Sequence, residues 1–206
     1  MKQVLIFLAV AIALLPARPC TADSPHQIAG FVLGANIKQY ESVLDMSTSL
    51  PLRRMEYLSE VETKPLDGFR KGFITYGNCD EPGRVVKIRL KYTRDDKEFF
   101  NELLERFKKK FGTSAQYRGD AFRAFIAWKW VFVDKDKNRI TLQLQHNSED
   151  GDEEITRGNS VKLTISNLVD KERECYEKKH PEQQQSKVNG AKGEGGNIDF
   201  KRLIPE

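Results

Sequence analysis

The sequence predicts an α+β fold, an antiparallel sheet of about five to seven strands with helices packed on one face. Three observations carry this. Apolar and polar residues alternate in several short runs, most clearly Val86, Ile88, Leu90 and Tyr92 against Lys87, Arg89 and Lys91. Short polar turns join successive runs, which makes hairpins of them. One segment, residues 95–112, changes to helical spacing and organises the rest.

In that segment Phe99, Leu103, Phe107 and Phe111 recur every four residues, with Phe100 and Leu104 beside them. Such spacing lays one aromatic stripe along a helix, and Phe107 at mid-stripe is expected to be nearly buried. Asp95 suits the N-cap, with Glu98 three residues on. Lys108, Lys109 and Lys110 lie where the helix dipole favours cations, and Gly112 suits the left-handed position that closes a helix.

Residues 1–22 read as a secretory signal peptide: Lys2, an apolar run over 4–15, then Cys20-Thr21-Ala22 as a small-x-small cleavage site. The run is too short to span a bilayer comfortably. Acylation of Cys20 is the alternative, but Arg18-Pro19 before it is a poor lipobox. The mature chain is then exported, without a transmembrane segment. Cleavage removes two of the 34 bases and none of the 30 acids, taking the formal charge from +4 to +2. That balance argues against a nucleic-acid binder.

Residues 28–34 are a short strand between glycines, and Ile37, Tyr40, Val43 and Leu44 continue at helical spacing. Leu50-Pro51 breaks the chain before a weaker strand over 55–63. Residues 69–76 and 86–92 flank the turn cluster at 77–83 and form a hairpin leading into the helix. Residues 113–123 are polar and irregular. A second hairpin follows, with Ile126, Trp128, Trp130 and Phe132 on one strand and Ile140, Leu142 and Leu144 on the next. Val161, Leu163 and Ile165 make a last strand, and residues 168–179 a charged helix. The single domain occupies residues 23–180. Residues 181–206 have the composition of a disordered tail. No repeat of fixed period is visible.

No local motif for catalysis, a metal or a cofactor emerges. His26, His146 and His180 are far apart, and there is no G-x-S-x-G or C-x-x-C. His146, at a strand end, reads as a surface residue. Asp134-x-Asp136-x-Asn138 imitates the start of a calcium loop, but Arg139 stands at the glycine position and Gln145 at the glutamate position, so a hairpin turn is the better reading. A small hydrolase would have to use His146 with an acid from residues 150–154.

Two features remain. Lys87, Arg89, Lys91 and Lys129, with Gln143, Gln145 and Lys162, are expected to share the sheet face opposite the helices, as a soluble outer face or a cationic platform for an acidic partner. Cys79 and Cys175 are an even pair in an exported chain and are expected to form a disulfide pinning the last helix to the first hairpin's turn.

The pattern I-x-G-F-V-L-G-A-N-I-x-x-Y-x-x-V-L over residues 28–44 resembles the start of small exported bacterial domains of the SmpA/BamE type and their β-lactamase-inhibitor-like relatives. The helix, K-F-G and aromatic hairpin over 107–144 are similar in style. The resemblance implies helices on one face of an antiparallel sheet and a protein-binding role. The expected function is therefore an exported, non-enzymatic interaction or envelope-accessory module in the periplasm or secreted, whose partner is another envelope or secreted protein. A small secreted hydrolase or a secreted inhibitor of another enzyme is the alternative.

Overall fold

The computed structural model describes residues 24–122, 124–148 and 157–181. The expected signal peptide, the acidic run at 150–154 and the tail from residue 182 lie outside the described residues. The elements run β1 (Gln27–Ile28), β2 (Phe31–Val32), a short 3-10 helix (Ile37–Tyr40), β3 (Leu44–Leu52), β4 (Met55–Thr63), β5 (Phe69–Gly77), β6 (Val85–Tyr92) and α1 (Lys97–Phe111). They continue with β7 (Gln116–Tyr117), β8 (Phe125–Val133), β9 (Arg139–Asn147), β10 (Gly158–Ile165) and α2 (Ser166–Lys179).

Eight strands make one antiparallel sheet in the order β3-β4-β5-β6-β10-β9-β8-β7, and β1 pairs only with β2. The class is α+β, but the sheet has more strands than the five to seven expected. The two extra strands are its edges. β3 carries Asp45 to Ser49 and Pro51, which hide its pattern, and its pairing with β4 is irregular. Such features belong to an edge strand, where a missing N–H does no harm. β7 is only two residues long.

The topology is doubled. A four-strand meander followed by a helix (β3 to β6, then α1) is repeated as β7 to β10, then α2, and the last strands of the two meanders pair at the sheet centre. The two halves share strand alternation but no residue-level motif, which is why no repeat is visible in the sequence.

One face is covered. Alternation places Ile74, Ile88, Leu163, Leu142 and Trp130 opposite one another across five strands, all buried. Burying each such side chain stabilises by about 1.5–3 kcal/mol. Phe100 and Leu104 from α1 and Leu168 from α2 complete the same cluster, together with Phe31, Leu33 and Ile37 from the N-terminal segment.

Four local expectations are corrected. The stripe of α1 is rotated, so that Phe100 (1% exposed) and Leu104 are its buried members. Phe107 is only partly buried, with its ring 5.9 Å from Trp130 and 5.6 Å from Phe111. The N-cap is Asp96, one residue after Asp95, because its carboxylate accepts from the Phe99 N–H at 2.8 Å while Arg94 holds it from the other side. Residues 28–34 fold back as the β1–β2 hairpin through Ala29 (φ 49°) and Gly30 (φ 84°). The helix expected after them shrinks to one 3-10 turn, since the chain must already enter β3 at Leu44.

α2 is fixed at the β5–β6 turn by two devices. The Cys79–Cys175 disulfide is present, with Cα atoms 5.8 Å apart. One turn before Cys175, the Glu172 carboxylate is buried (1% exposed) and accepts from the backbone N–H groups of Cys79, Asp80 and Glu81 at 2.7, 3.0 and 2.9 Å. Gly77 makes room for it, because a Cβ there would sit 2.2 Å from the Glu172 side chain.

Candidate functional site

The same alternation that buries Ile88, Leu90 and Tyr92 sends Lys87, Arg89 and Lys91 to the opposite, helix-free face of β6. Register then extends the row. Arg89 lies opposite Lys162, Lys162 opposite Gln143 and Gln143 opposite Lys129, while Phe73 flanks Arg89 on the other side. Neighbouring strands are about 4.8 Å apart, so like charges directly opposite each other repel.

Among the described residues, carboxylates answer only one end of this row. Glu60 on β4 lies 3.3 Å from the Arg89 guanidinium and 3.7 Å from the Lys87 ammonium, and also accepts from the Thr75 hydroxyl at 3.0 Å. The Arg89 guanidinium stacks 4.2 Å above the Phe73 ring, and its Nε is buried without a hydrogen-bond partner. Burial, opposed in part by Glu60, lowers the Lys87 pKa below that of an ordinary lysine. Lys162 is lowered too, by burial first and then by repulsion from Lys87, Arg89 and Lys129, with no carboxylate in opposition among the described residues. The arrangement is a cationic row on a wet sheet face, held partly dehydrated. It has the chemistry to receive carboxylates.

The four lysines and arginines singled out by alternation thus share one face, but unequally. Lys87, Arg89 and Lys129 retain exposure, whereas Lys91 is 1% exposed and presents no charge to a partner. Gln143 donates to Gln145 at 3.0 Å on the same face. Glu60 and Phe73 escaped sequence reasoning as site residues. Their signal was present, since both lie out of phase with buried Val61 and Ile74 on β4 and β5.

His146 is not a surface residue. It is 6% exposed, its ring lies 5.7 Å from Phe100, and its Nδ1 is 2.8 Å from the Asn159 side-chain oxygen. The Asn159 amide donates to the Arg94 and Asp96 carbonyls at 3.1 and 2.8 Å, which leaves its oxygen to accept from His146. This buried pair ties the start of α1 to β9 and β10. The acid that a hydrolase would pair with His146 lies outside the described residues. Asp134 spends its carboxylate on the β8–β9 turn, accepting from the Asp136 and Asn138 N–H groups at 2.8 Å each.

No family model, curated protein or solved structure matches the chain. The fold and the face define only a class, an α+β sheet protein with helices on one side and a cationic face on the other.

Proposed function

We propose that this protein is an exported, non-enzymatic binding module that receives an acidic partner protein on the helix-free face of its sheet. One observation carries the reading: Lys162 stands among Lys87, Arg89 and Lys129, and among the described residues no carboxylate offsets its charge. Like charges held together and partly buried destabilise the free protein, and a partner's carboxylates would relieve them. The signal-like start of the chain and its even pair of cysteines support an envelope or extracellular setting.

The experiment is affinity capture of the tagged full-length chain from its source, run beside a Lys129→Glu/Lys162→Glu variant at low and high salt. A specific partner should be retained by the unmodified protein at low salt and be lost from the variant. Equal retention by both proteins, indifferent to salt, would overturn the reading.

A further inference from the structure

Beneath α1, on the covered face, lies a cleft of about 280 Å³ between the helix, the sheet and the N-terminal segment. Ile28, Leu103, Phe107, Leu142 and Leu163 line it. This cleft explains why Phe107 is only partly buried: the stripe overhangs space instead of sheet.

Its polar groups are few. Tyr92 forms part of the wall, is 9% exposed, and its hydroxyl makes no hydrogen bond among the described residues. Burial raises its pKa, so the phenol keeps its proton and can donate. On the rim, Arg106 and Lys110 stand one helical turn apart on the exposed flank of α1, and neither has an ion-pair partner among the described residues. An apolar trough with two cations at its mouth, Lys110 resting 5.3 Å from the Phe111 ring and Arg106 without an ion-pair partner among the described residues, complements a short apolar chain ending in an anion.

We propose that this cleft binds a free, single-chain, medium-length aliphatic carboxylate. The chain lies among Leu103, Phe107, Leu142 and Leu163, and the carboxylate meets Arg106 and Lys110. The site is on the opposite side of the sheet from the cationic row and is independent of it.

The test is a titration of the full-length, methyl-labelled protein with decanoate below its micellar concentration, and separately with decanol. Decanoate should shift the Ile28, Leu103, Leu142 and Leu163 methyl signals saturably, as one site. Arg106→Glu/Lys110→Glu, an exposed pair that leaves the core untouched, should weaken decanoate at least tenfold and decanol less than twofold. Absent or scattered shifts, or undiminished decanoate binding by the double reversal, would overturn the site. Perturbation of the same methyls by phosphatidylglycerol vesicles, with none by decanoate, would overturn the free acid in favour of a membrane lipid.

Discussion

Two rows cross the centre of the sheet one residue apart, on opposite faces. Ile74, Ile88, Leu163, Leu142 and Trp130 form the covered row; Phe73, Arg89, Lys162, Gln143 and Lys129 form the open one. Both are products of the same strands and the same pairing. They differ in how charge is treated. On the covered side the buried Glu172 is answered by three backbone N–H groups and a neighbouring disulfide, so it acts as an anchor. On the open side Lys162 is surrounded by further cations. A buried carboxylate with its donors supplied in the chain serves the fold; a cation held beside like charges costs the fold stability.

The largest effect should come from the anchor. Replacing Cys79 and Cys175 with serine removes a link spanning 96 residues, worth roughly 4–5 kcal/mol in the chain-entropy view, and denaturant unfolding of the oxidised and serine proteins measures it. Glu172→Ala should add to that loss, because it leaves three backbone donors without their acceptor.

Phe100→Ala, at the centre of the covered side, should lose roughly 3–5 kcal/mol. Phe107→Ala, over the cleft, should lose roughly half as much, about 1.5–2.5 kcal/mol. Equal losses in paired denaturation curves would mean that the cleft closes in solution.

The open row should respond in the opposite direction. Lys162→Met should raise the melting temperature near neutral pH by roughly 2–4 °C, the shift that about 1 kcal/mol gives in a domain of this size. Because the folded-state pKa of Lys162 is lowered, the folded protein releases that proton before the unfolded chain does. Stability of the unmodified protein should therefore climb as pH rises through the folded value towards about 10.4, and Lys162→Met should flatten the climb. Melting curves against pH for the two proteins measure the difference.

Alternation made the central strands and the shared cationic face legible, and cysteine parity did the same for the disulfide. The edges were hidden for physical reasons. β3 mixes Asp45, Ser47 and Pro51 with apolar residues, and β7 is too short to carry a period. Helical spacing identified α1 but not its rotation, since Phe99, Phe100, Phe107 and Phe111 suit either orientation until the cleft is seen. His146 and Glu172 have no local signature at all, because their partners Asn159 and residues 79–81 come from distant segments.

The central claim is that the open row receives acidic groups, and an amide NMR titration with an oligoglutamate peptide tests it most directly. The account predicts saturable shifts confined to the neighbourhood of Lys87, Arg89, Lys129 and Lys162. These should fade as salt is raised and be abolished in Lys129→Glu/Lys162→Glu, with α1 and α2 undisturbed. Shifts centred on the helices, or undiminished in the reversed protein, would contradict it.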